Sequence, residues 1–316
     1  MSSLGAADDP AGPPAPVAGI DTAPAGDRKA GLALALAGAV AFSGKAIIVK
    51  LAYRHGVDAI TLITYRMLFA LPLFLGLAWW AGRGRAALGR KDGLVVLGLG
   101  FSGYYLASTL DFIGLQFISA SLERLILYLT PTIVLLLAWW RFGRRASRGQ
   151  VLALLASYLG VGLALGHELR LEGRQVALGA ALVFASTLSY AVYLLYSGEA
   201  VRRLGSLRLT GWASSVACVL CIAQFAWLRP MQALLVPLPV LWLSIANAVL
   251  CTVAPVLMVM MAIERIGPSL AAQAGMVGPM STILMGVWLL GEPFTAWLAA
   301  GTLCVLAGVW LLARWR

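Results

Sequence analysis

Charged side chains are scarce in this chain. They make up 12% of its 316 residues, about half of the roughly 25% usual in soluble domains, so a soluble globular fold is excluded. Histidine is scarcer still: His55 and His167 are the only two, and both fall in segments that read as loops on the outer side. No paired acids and no His/Asp/Glu cluster lie inside an apolar stretch, where metal-assisted or acid–base chemistry would need them. An intramembrane enzyme is therefore the disfavoured reading, and neither a metal nor a cofactor is expected. The four cysteines, Cys218, Cys221, Cys251 and Cys304, all sit in apolar stretches. Cys218-Val-Leu-Cys221 has the spacing of a redox or zinc pair but reads as small packing residues on a helix. No phosphate-binding glycine loop of the G-x-x-x-x-G-K-[ST] type is present, which excludes direct ATP hydrolysis.

What the chain has is apolar residues, at 61%, and a mean hydropathy of +0.88. Ten stretches long enough for membrane helices, each about 20 residues, can be placed at 31–51, 58–80, 93–112, 118–140, 149–166, 176–197, 208–228, 240–262, 268–290 and 295–313. The short alternating strands of a membrane β-barrel are not seen, so the expected class is an all-α integral membrane protein. Residues 1–27 are rich in Ala, Pro, Gly and Asp and lack the basic and apolar regions of a signal peptide. They read as a disordered tail.

Residues 31–160 align without a gap on 179–308 at a constant offset of 148. Gly31 meets Gly179, Pro131 meets Pro279, Trp140 meets Trp288 and Gly160-Val161 meets Gly308-Val309. Each copy holds five spans, so the second enters the membrane from the opposite side. Two inverted five-helix repeats, at 28–166 and 176–316, are the architecture of a secondary transporter. The net charge of +11 follows from topology: sixteen of the 24 Lys/Arg fall in segments of one side, four in those of the other, and four within spans. The positive-inside rule then places both termini in the cytoplasm, in a bacterial inner membrane. The expected partners are the lipid bilayer and a small-molecule substrate, with no nucleic acid, and the protein is read as a monomer or homodimer. The Trp residues cluster near span ends as an aromatic belt.

The most informative residues are charges where lipid should be: Lys45, Lys50, Arg66, Asp111, Glu123 and Arg124. A charge at a helix centre costs about 2.5–3.5 kcal/mol on insertion scales, so such groups face a bundle interior and have partners. Lys45 and Arg66 sit roughly 4–6 Å to the outer side of the midplane at ~1.5 Å per residue. Asp111, Glu123 and Arg124 lie at the outer ends of spans three and four. At the repeat offset their counterparts are Tyr193, Gly198, Ser214, Val259, Ala271 and Ala272, all uncharged. The backbone repeats and the charges do not.

Each charge also has a plainer reading. Lys50 snorkels to water from a span end. Arg66 pairs with Asp111 or Glu123, or touches substrate. Arg124 points about 100° away from Glu123 on a helix, so the two meet different neighbours. Lys45, following Phe42-Ser43-Gly44, is a candidate contact for an anionic substrate group. Asp111, Glu123 and Arg124 form a candidate gate or ion-pair network. Neutral candidates for the binding site are Ser43, Tyr104, Tyr190, Tyr193, Asn247 and Gln273. Tyr190 and Tyr193 share a helix face with Ser186 and Ser197, where helix packing accounts for them equally well. Pro131 and Pro279, at equivalent places in spans four and nine, are candidate helix breaks.

The run Ala41-Phe-Ser-Gly-Lys45 continuing Ile-Ile-Val-Lys-Leu-Ala, the segment Tyr65-Arg66-Met-Leu-Phe-Ala, and the stretches from Pro279 to Leu290-Gly291-Glu292 and from Gly301 to Gly308-Val309 resemble the drug/metabolite transporter superfamily, of the EamA type with two repeated domains. The resemblance covers about residues 31–312. It implies ten helices, a central cavity lined mainly by spans one, three, four, six, eight and nine, and export or exchange of small metabolites. Relatives of this kind include amino-acid exporters and, more distantly, sugar-phosphate and nucleotide-sugar carriers. Arg144 stands where the first copy would have the counterpart of Glu292, so no catalytic role for Glu292 is expected.

Overall fold

A computed structural model describes residues 25–142, 147–275 and 277–314, and every regular element among them is helical. The first repeat comprises α1 (Ala25–Tyr53), α2 (Ala59–Gly82), α3 (Arg90–Leu99), α4 (Ala107–Gly114), α5 (Ala120–Leu127), α6 (Thr130–Phe142) and α7 (Arg148–Glu172). The second comprises α8 (Arg174–Leu204), α9 (Ser206–Leu228), α10 (Leu238–Ala248), α11 (Ala254–Gly275), α12 (Val277–Met285) and α13 (Ala296–Arg314). Eight helical stretches are long and apolar enough to cross a membrane, and Val277–Leu290 and Ala296–Leu311 are shorter apolar ones. The protein is a multi-pass membrane protein. Of the expected tail, residues 1–24 lie outside the described residues, while Ala25 to Asp27 already belong to α1.

The repeat is visible in irregularities as much as in helices. α3 and α4 are joined by a π-helical segment, Gly100–Leu106, and α10 and α11 by another, Val249–Val253. The offset of 148 carries the first onto the second. Such wide turns are rare and gather at functional sites. α2 packs on α9 and α7 on α13, each on its own counterpart. α1 runs along α11 as α8 runs along α4.

Lipid tails are as apolar as leucine, so helices in a bilayer associate through close backbone approach rather than hydrophobic burial. The α7–α13 contact shows this. A Cβ on Gly160 would lie 2.5 Å from the Gly301 carbonyl oxygen, and one on Gly308 would lie 2.7 Å from the Ala153 carbonyl oxygen and collide with Ser157. These two contacts are mates under the repeat. On the lipid side, Trp140 and Trp288, also mates, are 83% and 89% exposed, as belt residues facing lipid would be.

Two expectations need correction. His167 is not in a loop: α7 continues to Glu172, and His167 stacks on Trp297 with ring centroids 6.4 Å apart. The hydropathy of span five ends near 166, but polar residues continue a helix once it leaves hydrocarbon. The reversal into α8 is left to Gly173 alone, whose φ of +68° suits glycine. Second, spans eight and nine do not part between 262 and 268. Helical backbone continues through Gly267-Pro268 to Gly275. Gly267 takes helical dihedrals there, so its freedom is not used for a turn.

Gly160→Leu and Gly308→Leu should each cost ~1–3 kcal/mol by forcing α7 and α13 apart. Gly162→Leu, where nothing lies within 4 Å of the added Cβ, should be nearly neutral. Thermal unfolding in detergent distinguishes the three.

Candidate functional site

α1 delivers Lys45 to the bundle interior one residue after Gly44, whose missing side chain lets Cys251 approach. α4 delivers Asp111. A tight turn follows, and Ser119 then starts α5 by accepting the Leu122 amide proton at 3.0 Å. Glu123 thus lies in the first turn of α5, where the helix dipole favours an anion. The two carboxylates converge on one ammonium: Lys45 Nζ donates to Asp111 Oδ2 at 2.5 Å and to Glu123 Oε1 at 2.9 Å. The Lys45 side chain is 14% exposed, Asp111 5% and Glu123 0%. With both acids ionised the triad carries a formal charge of −1, and each acid keeps one buried oxygen, Asp111 Oδ1 and Glu123 Oε2, without a partner.

Arg66, on α2, does not pair with either acid by hydrogen bond. Its Nε donates to Thr252 Oγ1 at 3.0 Å, its guanidinium lies over the Phe112 ring at 5.2 Å, and its Nη1 is buried without a partner. Thr252 sits in the second π-helical segment and donates in turn to the Asn247 carbonyl at 2.8 Å, a five-residue reach that the wide turn permits. The side-chain oxygen of Asn247 is buried and unpartnered. Arg124 diverges from Glu123 as helix geometry requires: it donates to Thr282 Oγ1 at 2.9 Å and to the Phe42 carbonyl at 3.1 Å. Lys50 is partly buried in the last turn of α1. Thr252 and Thr282, which complete this arrangement, escaped the sequence reading. The signal for Thr252 was its place at the repeat offset from Tyr104.

The neutral candidates gather elsewhere. Tyr104 and Tyr193 share a hydrogen bond at 3.2 Å with their rings edge to face, and Tyr190 stacks on Tyr193 at 5.5 Å. Ser186 donates to the Ala107 carbonyl at 2.7 Å. This group is the repeat's counterpart of the ionic one: Tyr193 answers Lys45, Tyr104 answers Thr252 and Ser214 answers Arg66. Ser43 donates to the carbonyls of Ala39 and Gly278, both at 2.8 Å, and so lies between α1 and α12. Gln273 lies outside the residues whose side chains are described. Pro131 falls in the first turn of α6, where a missing N–H costs nothing, Pro279 lies within α12, and Tyr128 at the α5–α6 interruption donates to the Gly275 carbonyl at 2.8 Å.

A cleft of about 470 Å³ opens beside Ser102, Tyr196 and Glu199, and another of about 350 Å³ beside Gln224 and Trp227. Neither is lined by the Lys45 triad, which is packed shut. The arrangement therefore offers a buried ion cluster of both signs with unused acceptors and an unused donor, in the conformation in which protein groups satisfy one another.

Comparison with known proteins agrees with the helical duplication. The EamA-like transporter family matches the chain twice, over residues 29–166 and 177–314. An uncharacterized transporter of Bacillus subtilis (strain 168), YcbK, is 35% identical over 274 residues, 84% of this chain and 87% of that protein. A solved crystal structure is similar with a TM-score of 0.60 over 90% of this chain and 98% of that one. At 17% identity the likeness is one of fold alone.

Lys45→Met should cost ~3–5 kcal/mol, because it leaves two buried carboxylates without a cation. Adding Asp111→Asn and Glu123→Gln should recover more than half of that loss. Unfolding of the single and triple variants in detergent measures both; a Lys45→Met cost under ~1 kcal/mol would mean the acids are hydrated rather than paired.

Proposed function

We propose that this chain, which belongs to the EamA-like transporter family, is a secondary transporter that exports or exchanges amino acids or related small metabolites by alternating access. The observation that carries the reading is the sharing of Lys45 between Asp111 and Glu123, with one oxygen of each acid left over. Opening the bundle where α1, α4 and α5 meet separates the lysine from at least one acid. A zwitterion replaces what is lost: its ammonium serves the carboxylates and its carboxylate serves Lys45 and the free Nη1 of Arg66. A substrate of single sign answers half of the site. Because the substrate binds the separated groups better than the closed cluster, it shifts the equilibrium by that difference.

In this reading Ser43, Lys45, Arg66, Tyr104, Tyr190, Tyr193, Asn247 and Gln273 contact substrate over the transport cycle. Asp111, Glu123 and Arg124 form the gate, and helix breaks at Pro131 and Pro279 let the walls bend. Residues 28–166 and 176–316 act as the two repeat units, which exchange conformations. The membrane is a bacterial inner membrane with both termini cytoplasmic, a placement supported by the Lys/Arg distribution. The protein moves its substrate without altering it, as membership of a transporter family suggests.

Two measurements test this. In proteoliposomes loaded with a labelled neutral amino acid, an external amino acid from a panel should accelerate release, and sugar phosphates should not. Acceleration by a sugar phosphate in place of every amino acid would transfer the protein to the anionic-metabolite carriers. For orientation, His55→Cys should react with an impermeant thiol reagent from outside the cell and Arg90→Cys should not, and the reverse pattern would invert the topology.

A further inference from the structure

The start of α5 is held from the other repeat. Glu292, which follows the left-handed Gly291 at the end of the π-helical segment Gly286–Leu290, turns back onto α5. Its Oε1 accepts the Ala120 amide proton at 2.7 Å, and its Oε2 accepts from the Ser121 amide at 3.2 Å and the Ser121 hydroxyl at 2.7 Å. A carboxylate on two N-terminal amides satisfies donors that a helix cannot satisfy itself, and it meets the positive end of the dipole. The approach requires Gly286, where a Cβ would stand 2.8 Å from Glu292 Oε2 and 3.2 Å from Ser121 Oγ. The end of α1 grips the same place: Arg54 Nη2 donates to the Leu290 carbonyl at 2.6 Å. By contrast Ser119 caps α5 from within the first repeat and donates to Glu168 of α7.

From these contacts we propose that Glu292 is a latch between the repeats, a positioning residue that holds α5 so that Glu123 reaches Lys45. The inference rests on the alternating-access reading. Glu123 is three residues beyond Ala120, about one helical turn, so movement of the α5 start carries the carboxylate with it. The latch exists on one side alone in sequence terms. The repeat counterpart of Glu292 is Arg144, a side chain with donors and no acceptor, which cannot take up amide protons. The two closures of the transporter are therefore fastened differently, and release of Glu292 from α5 accompanies opening on the ionic side.

The protein contains its own reporter. Cys251 is 4% exposed and abuts Gly44 beside Lys45. In a variant carrying Cys218→Ala, Cys221→Ala and Cys304→Ala, an impermeant methanethiosulfonate is added outside right-side-out membrane vesicles and the rate of Cys251 modification is read. Glu292→Ala should raise that rate roughly three- to tenfold, the effect of losing one charged helix cap from the closed state, and Glu292→Gln should give a smaller rise. Ser119→Ala removes the cap that lies within one repeat, and should lower the melting temperature without raising the rate. An equal rise in Ser119→Ala would reduce Glu292 to a stabiliser of α5 and end the latch proposal. Glu123→Gln separates the two readings. A rise there with none in Glu292→Ala overturns the latch and leaves the ionic gate standing; no rise in either overturns both.

Discussion

One ammonium shared by two carboxylates sets the terms for the rest of the molecule. Lys45, Asp111 and Glu123 come from three helices and are almost fully withdrawn from solvent. Taking such ions out of water costs several kcal/mol each, recovered only where partners are in place. The helices that bring them together are therefore constrained in rotation and depth. The π-helical segment ahead of α4 and the glycine at position 44 can each be understood as meeting that constraint. Arg66 and Arg124 bring further positive charge to the region, but through threonine hydroxyls, a backbone carbonyl and an aromatic face. The acids are thus left to Lys45.

The duplication of the backbone and the divergence of the side chains have to be considered together. Helix pairing, the paired glycine contacts of α7 with α13, and the π-helical segments Gly100–Leu106 and Val249–Val253 follow the repeat, while Gly286–Leu290 has no π-helical counterpart. At the places where the repeat would put a second ion cluster, it puts Tyr193, Tyr104 and Ser214. A tyrosine hydroxyl pair opens at the cost of a neutral hydrogen bond, about 0.5–1.5 kcal/mol net, and its rings keep their contacts with the surrounding helices. An ion triad opens at the cost of exposing charges. Equivalent motions of the two repeats would then carry unequal free energies, and the fastening of α5 by Glu292, with Arg144 at its counterpart, adds to the same inequality.

The sequence was most legible where physics acts along the chain. Hydropathy gave the spans because lipid requires it over every 20 residues or so, and the offset of 148 was readable because Gly, Pro and Trp are rarer than the Leu and Ala around them and align together over such a length. It was least legible where partners lie far apart. Arg66 was expected either to pair with an acid or to touch substrate, and its hydrogen-bond partner is Thr252, 186 residues away. A threonine in an apolar stretch looks like filler until the helix facing it is known. Glu292 stood out through its mismatch with Arg144, but that it serves a helix N-terminus in the other repeat depends on three-dimensional adjacency. The helix through His167 and the one through Gly267-Pro268 were misjudged for a single reason: hydropathy reports where lipid ends, and a helix can outlast it.

The ion triad also bears on whether such a protein returns across the membrane empty. On the alternating-access reading, an unloaded protein that opens on the ionic side separates Lys45 from its acids with only water to replace them, while a loaded one exchanges one set of partners for another. If the unfavourable difference is ~3 kcal/mol, at the lower end of what breaking a buried pair costs, the empty transition is populated roughly a hundredfold less, since each 1.4 kcal/mol is a factor of ten. A transporter built this way favours exchange of one substrate for another over net flux. Replacing the triad by well-packed apolar residues would remove the barrier and with it the preference for substrate over an empty site, which gives a physical reason for keeping an expensive cluster in hydrocarbon. The cost of the closed pairing and the selectivity of the opening are two aspects of the same interaction.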